Sequence, residues 1–156
     1  FTKSRINTFY DSPERGVAHC DFTYPYCPTL REKVIKCLAK TDITFHKHGV
    51  YVCTEGPRFE SAAEIKMFAM LGGDLVGMTN MPESILAREA EMCYIVTNMA
   101  AGISPTPLSH KEVCDAMALS IKNMEKLILS FIAYEEPTEA KCNCHHAMQE
   151  FGGFKL

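Results

Sequence analysis

Short apolar runs that alternate with amphipathic segments constrain the fold of this chain most. Apolar runs of strand length occupy residues 16–23, 48–54, 74–79 and 93–100. Apolar residues three and four positions apart predict helices over residues 28–40, 61–72, 82–93 and 109–134, and Phe68, Leu71 and Ile128 are among the residues expected to face inward. Strands that are apolar throughout are typical of sheets covered by helices on both faces. The alternation therefore predicts an α/β layer fold.

The length and charge of the chain exclude several classes of protein. Its 156 residues suit one domain, and we treat 1–156 as that domain, with 136–156 as its tail. A net charge of −3 provides no basic surface for nucleic acid or anionic lipid. Charges interrupt every apolar run before the roughly 20 residues of a membrane span, and no signal peptide is visible. We therefore expect a soluble, cytoplasmic protein. Because the chain opens with Phe1 rather than Met, we also expect that an N-terminal part is missing.

Eight cysteines divide into a group of six and a tail pair. The six lie in apolar or helical surroundings and are expected to be ordinary buried thiols. In the tail, Cys142, Cys144, His145 and His146 place four possible metal ligands within five residues. One short loop does not close a tetrahedral site and no second ligand pair at zinc spacing is visible, so we assign no metal site. A Cys142–Cys144 disulfide is the alternative, although cytosolic proteins outside hyperthermophiles rarely use one.

Polar groups that a core does not need follow three of the predicted strands. These groups lie at residues 54–59, 77–80 and 97–101. In α/β folds, small-molecule sites gather where strands end and the following helices begin. Gly77 allows close approach of the backbone, and the N–H groups around Met78 and Thr79 precede a predicted helix, which makes this turn a candidate anion site. The alternative is that Thr79 or Asn80 only caps that helix.

Three segments, taken in order, resemble one protein family. They read EGPRFESAAEI, GGDLVGMTNMPESILAREAEMCY and VTNMAAGISPTPLSHKEV. The chain resembles the trimeric purine nucleoside phosphorylase and methylthioadenosine phosphorylase family from about residue 5 to 135. The resemblance implies a three-layer α/β/α fold with a mixed, partly barrel-like sheet, of which this chain is the C-terminal portion. It further implies a homotrimer, or a dimer of trimers, that uses inorganic phosphate to release the base of a purine nucleoside and needs no cofactor.

The resemblance also assigns roles to the residues at the strand ends. It implies that Phe59 packs on the base, Val76 and Gly77 line the purine plane, Met78 holds the ribose, and Thr79 helps to bind phosphate. From the residues alone, Phe59 could instead be a core aromatic. The family's glycine-rich serine loop and its Arg-His pair on phosphate are not in this chain, so only part of a phosphate site is expected here.

Two positions bear on the choice of base. Family members that cleave 6-aminopurines carry a Thr-Asp-Tyr-Asp type sequence where this chain has Thr97-Asn98-Met99-Ala100. The Asn98 amide, which we take as the catalytic group, can donate to a 6-keto oxygen and also meet N7. Glu60 matches the glutamate that accepts from N1–H of 6-oxopurines, although it could also be a carboxylate favoured by a helix N-terminus. Together these residues predict inosine and guanosine as substrates.

The 5′ end of the ribose is the least determined part of the predicted site. His110 matches a histidine that reaches the 5′-hydroxyl, but it could also be an exposed first-turn residue. His19 resembles a residue that closes the 5′ pocket of a neighbouring subunit in methylthio-specific relatives. Phosphorolysis of methylthioinosine or methylthioadenosine is therefore an alternative function. A different class also stays open, namely an inactive nucleoside-binding protein or a metal-responsive module that uses the cysteine tail.

Overall fold

The computed structural model describes residues 4–94, 110–135 and 142–148, and within them helices and strands alternate. The helices are α1 (Pro28–Leu38), α2 (Ala62–Met70), α3 (Asn80–Glu89) and α4 (His110–Ile132), and the strands are β1 (Tyr51–Cys53) and β2 (Leu75–Gly77). A short 3₁₀ helix, Cys144–His146, lies in the tail. The predicted α/β class is confirmed. None of the described helices is both long enough and apolar enough to cross a bilayer.

Strands β1 and β2 pair in parallel, with Val52 opposite Val76. The pairing continues one residue past β1, because the Thr54 N–H donates to the Gly77 carbonyl at 2.8 Å. Helix α2 connects the two strands, as the crossover between parallel neighbours requires. The carboxyl ends of both strands therefore lie at the same edge of the sheet, which is the arrangement that the sequence pattern predicts.

Local signals explain where α2 begins and ends. Ser61 caps its N-terminus in a reciprocal capping box, since the Ser61 hydroxyl accepts from the Glu64 N–H and the Glu64 carboxylate accepts from the Ser61 N–H. Gly72 follows the helix in the left-handed conformation, with φ of 86°. Phe68 is buried as the pattern predicts. Leu71, which the same pattern predicts to face inward, is 71% exposed, because it lies past the last helical residue.

Helices α1 and α4 pack against each other. The fully buried Cys37 thiol of α1 lies 3.8 Å from the Ser130 carbonyl of α4. Leu127 of α4 is 6% exposed, whereas Ile128, the residue predicted to face inward, is 49% exposed. The apolar pattern at three- and four-residue spacing fits either residue, and the packing selects Leu127.

Two other expectations about secondary structure need correction. The predicted strand over 16–23 is wrong, because this segment contains only an isolated bridge at Val17 and is otherwise irregular. An apolar run becomes a strand only where a neighbouring strand satisfies its backbone. The helix predicted to start at Pro82 begins at Asn80 and is kinked at Met81. Most of the predicted strand over 93–100 lies outside the described residues.

Candidate active site

The loop after β1 and the turn after β2 touch each other at Gly56 and Met78. Gly56 has a left-handed backbone, with φ of 70°. A Cβ atom at Gly56 would lie 2.6 Å from the Met78 sulfur and 3.4 Å from its Cγ. Glycine therefore meets two requirements here, because it tolerates the positive φ and leaves room for the methionine side chain. The two polar segments that the sequence placed at strand ends form one continuous surface.

Glu60 lies half-buried on this surface. The Thr54 hydroxyl donates to its Oε1 at 2.6 Å and lies 3.5 Å from the Gly77 carbonyl, so the carboxylate is fixed beside the end of β2. Within the described part of the chain, Thr54 is its only hydrogen-bond partner, which leaves most of its acceptor capacity unused. The neighbouring Phe59 ring is 66% exposed, so the described residues do not bury it in a core.

Arg58 and Glu64 brace the loop that carries Phe59 and Glu60. The two side chains form a two-pronged ion pair, with nitrogen to oxygen distances of 2.9 and 2.8 Å. The hydrogen bond from Arg58, followed by those from the Ser61 backbone and hydroxyl, lowers the pKa of Glu64 to about 2. Glu64 therefore supplies the carboxylate at the start of α2. That was the alternative role for Glu60. The Glu60 carboxylate is not used to cap that helix.

Arg5 joins the two strand ends, and sequence reasoning missed it. Its Nη2 donates to the carbonyls of Thr54 at 3.1 Å and Glu55 at 2.8 Å, and its Nη1 donates to the carbonyls of Met78 and Met81. Its Nε also lies 3.5 Å from the Glu55 carboxylate. These partners are 49 to 76 residues away along the chain. No local sequence signal connects them, because the guanidinium binds backbone carbonyls that every residue possesses.

The turn after β2 leaves the Thr79 side chain exposed. Thr79 is the first flanking residue of α3, yet its hydroxyl makes no capping hydrogen bond. Asn80 is 5% exposed, and its amide donates to the Tyr26 hydroxyl at 3.0 Å and accepts from the Tyr94 hydroxyl at 3.1 Å. Burial raises the pKa of Tyr26 to about 12, so that hydroxyl keeps its proton at neutral pH. Neither Thr79 nor Asn80 caps α3 with its side chain.

The other predicted site residues divide into those near the strand ends and those whose placement is not described. Val76 and Gly77 form the half-buried end of β2, next to Met78. His19 is exposed in the irregular segment before α1. His110 is the first residue of α4, but its side chain lies outside the described part. Asn98 and Ala100 also lie outside the described residues. Their proposed roles stay predictions.

The tail cysteines meet two cysteines from elsewhere in the chain. Cys142 and Cys144 are free thiols, so the disulfide expected between them is absent from the described structure. The Cys142 sulfur instead lies 3.3 Å from that of Cys27. The sequence predicted Cys27 and Cys93 to be ordinary buried thiols. It gave no indication that they lie beside the tail cysteines, because they are far from the tail along the chain.

Comparison with known proteins identifies the family of this chain. The sequence model described as "Phosphorylase superfamily" matches residues 2–133. The chain belongs to the phosphorylase superfamily. It is 50% identical over 158 residues to a 6-oxopurine nucleoside phosphorylase of Pyrococcus furiosus, with 96% of this chain and 59% of that protein covered. It is 46% identical over 149 residues to a protein of Thermodesulfovibrio yellowstonii named as a probable S-methyl-5′-thioinosine phosphorylase, with 93% and 55% covered.

A solved structure of this superfamily shares the fold. It is a mutant of adenosine/methylthioadenosine phosphorylase from Schistosoma mansoni in complex with adenine. The match has a TM-score of 0.72 and 28% sequence identity, and it covers 85% of this chain and 55% of that one. The family resemblance and the phosphorylase-like fold predicted from the sequence are thus confirmed. The chain spans a little over half the length of the relatives it matches.

Proposed function

We propose that this protein is a purine nucleoside phosphorylase that acts on 6-oxopurine nucleosides such as inosine and guanosine. The observation that carries the proposal is the Glu60 carboxylate, held at 2.6 Å by Thr54 where two parallel strands end. The 50% identity to a protein named 6-oxopurine nucleoside phosphorylase supports the same reaction. We further propose a cytoplasmic homotrimer, or a dimer of trimers, that needs inorganic phosphate and no other cofactor.

The reaction requires three contributions from the site. A phosphate oxygen attacks C1′ of the nucleoside while the bond from C1′ to N9 breaks, and the bonding electrons leave with the purine. The sugar carries positive charge in the transition state, so a bound anion and a polarised leaving base both stabilise it. In the proposed site, Thr79 helps to hold phosphate, Met78 holds the ribose, Phe59 packs on the base, and Asn98 hydrogen-bonds N7 and O6.

The choice between bases follows from hydrogen-bond direction. A 6-oxopurine presents an N1–H donor, which the free acceptor capacity of Glu60 can receive, whereas adenine presents a lone pair at N1. A carboxylate facing that lone pair would receive no hydrogen bond from the base and would keep only the one from Thr54. Sites that hydrogen-bond one pattern reject the other by up to about 10⁴-fold, because their buried polar groups are left unpaired.

The test compares inosine, guanosine and adenosine in the intact protein at one phosphate concentration. Hypoxanthine release from inosine should require added phosphate, and adenosine should react poorly. Glu60→Gln should lower kcat/KM for inosine about 10- to 150-fold, the equivalent of about 1.5–3 kcal/mol for one hydrogen bond to a charged group. Glu32→Gln removes an exposed carboxylate of α1 that pairs only with Lys36 among the described residues, and it should leave the rate unchanged.

Three results of that comparison would contradict the proposal. Adenosine reacting as well as inosine would remove Glu60 as the base reader. Equal losses in Glu60→Gln and Glu32→Gln would point to a general charge effect. Nucleoside binding without phosphate-dependent cleavage would favour the inactive binding protein.

Cleavage of methylthioinosine is a second candidate function, favoured by the 46% identical relative of that name. It uses the same base readout and differs only at the 5′ substituent. The exposed His19 is available to a neighbouring subunit, as closure of a 5′ pocket would require. Adding methylthioinosine and methylthioadenosine to the same assay separates the two candidates, because a methylthio-specific enzyme would prefer methylthioinosine to inosine.

A further inference from the structure

Four cysteine thiols meet near Arg88, at the end of α3 away from Thr79. Their sulfur atoms, from Cys27, Cys93, Cys142 and Cys144, all lie within 4.8 Å of one another. Cys27 and Cys144 are each 2% exposed, and the other two are half-buried. Three separate stretches of the chain therefore supply one compact set of sulfur atoms.

The spacing of the sulfurs suits a shared metal ion. Zinc binds thiolates at about 2.3 Å in a tetrahedron, which places the sulfurs about 3.8 Å from one another. The distance from the Cys27 sulfur to the Cys142 sulfur is 3.3 Å, far longer than the roughly 2.05 Å of a disulfide. Four thiolates also close the coordination shell, as structural zinc sites do.

A buried cation lies beside the cluster. Arg88 is 5% exposed, and its Nη1 lies 3.5 Å from the Cys144 sulfur. Its other two side-chain hydrogen bonds to described residues go to neutral oxygens, the Asn143 side-chain carbonyl at 3.1 Å and the Asp21 backbone carbonyl at 3.2 Å, and it also interacts electrostatically with the Asp21 carboxylate. A buried charge needs a partner of opposite sign. A zinc ion with four thiolates carries a net charge of −2, so it would supply a further partner directly beside the guanidinium.

The backbone holds the cluster in place. The Cys27 N–H donates to the Tyr94 carbonyl at 2.9 Å, which ties the start of α1 to the residue after Cys93. The Cys27 sulfur also accepts from the Leu30 N–H as the cap of α1. These contacts hold two of the three cysteine-bearing stretches together.

We propose that Cys27, Cys93, Cys142 and Cys144 bind one Zn²⁺ ion as four thiolates, with the Arg88 guanidinium balancing their negative charge. Binding exchanges the thiol protons for the metal, so the protons are released to solvent. The site is closed, with no position for a substrate. Its role is structural, and it takes no chemical part in the phosphorylase reaction.

The test uses the intact protein, reduced, freed of metal with a chelator, and titrated with Co²⁺ and then Zn²⁺. Binding should saturate at one Co²⁺ per chain. It should produce a sulfur-to-cobalt charge-transfer band together with the intense visible bands of tetrahedral cobalt, and Zn²⁺ should abolish both. The Cys20→Ser control removes a half-buried thiol outside the cluster and should behave as wild type. Cys142→Ser should lose the four-sulfur spectrum, and Arg88→Gln should weaken binding about 10- to 100-fold.

The wild-type titration decides the proposal even if a variant fails to fold. If the reduced protein binds no cobalt with a thiolate spectrum, the cluster is not a metal site. Thiol alkylation followed by mass measurement of freshly purified protein shows directly whether the cysteines form disulfides instead. Two disulfides among the four cysteines in metal-free purified protein, with no zinc incorporated on reduction, would overturn the proposal. Full binding by Cys142→Ser with an unchanged spectrum would do the same.

Discussion

The contact between Gly56 and Met78 leads to a prediction with an internal control. Gly56 and Gly72 both have positive φ, 70° and 86°, but an added Cβ at Gly72 meets nothing within 4 Å. Gly72→Ala should therefore lose only the cost of a left-handed alanine, about 1–2 kcal/mol of the free energy of unfolding. Gly56→Ala incurs this cost and in addition places its Cβ 2.6 Å from the Met78 sulfur.

The added Cβ at Gly56 lowers the free energy of unfolding somewhat further, and its main effect is on the position of Met78 in the site. The methionine end is flexible, so moving it off its rotamer adds about 0.5–1.5 kcal/mol. That movement displaces the side chain proposed to hold the ribose. Urea unfolding should thus give a loss about 0.5–1.5 kcal/mol larger for Gly56→Ala than for Gly72→Ala, and the inosine KM should rise for Gly56→Ala alone. Equal KM values in the two variants would refute the reasoning that Gly56 makes room for Met78 in the site.

Three further predictions concern the same strand ends. Thr79→Val should raise the phosphate KM about 10- to 150-fold, the equivalent of about 1.5–3 kcal/mol for a lost hydrogen bond to an anion, and an unchanged phosphate dependence would remove Thr79 from the site. Asn98→Asp should shift the ratio of adenosine to inosine kcat/KM towards adenosine, and adding Ala100→Asp should shift it further; a ratio that stays constant would exclude both as base readers. The pKa of Glu64 is lowered from 4.5 to about 2, so its support of the loop is complete above pH 4.5 and is lost as the pH falls towards 2. The thermal midpoint of wild type should therefore exceed that of Glu64→Gln at pH 6 and converge with it near pH 2, and a difference independent of pH would contradict this.

Features that depend on neighbouring residues could be predicted from the sequence. The capping box of Ser61 and Glu64 is an example, because the interacting groups are three residues apart. The parallel strand ends also follow from pattern alone, since alternating strands and helices place them at one edge. These two features locate Glu60 and Met78 correctly at the junction of β1 and β2.

Features that depend on distant residues could not be predicted. Arg5 binds carbonyl groups 49 to 76 residues away, and carbonyl groups carry no sequence identity. Cys27 meets Cys142 across 115 residues, so no ligand spacing was visible. The burial of Leu127 rather than Ile128 depends on how α4 is rotated about its axis. The apolar periodicity of a single helix fixes that rotation only to within about one residue. Packing between elements settles each of these points.

The buried polar residues of α3 show how the strand-end surface is supported from behind. Ser84 and Arg88 are four residues apart and share one face of the helix, Asn80 precedes the kink at Met81, and each of the three is no more than 5% exposed. Each makes side-chain hydrogen bonds, Asn80 with two tyrosine hydroxyls, Ser84 with the Asn80 backbone carbonyl at 3.0 Å, and Arg88 with two oxygens and a sulfur. Such buried hydrogen bonds fix the position of the helix more than an apolar face would, because any shift leaves a buried group unpaired. The three residues lie along α3 from the turn at Thr79 to the cysteine cluster, so the register of α3, and with it the position of Thr79, depends on contacts at both ends.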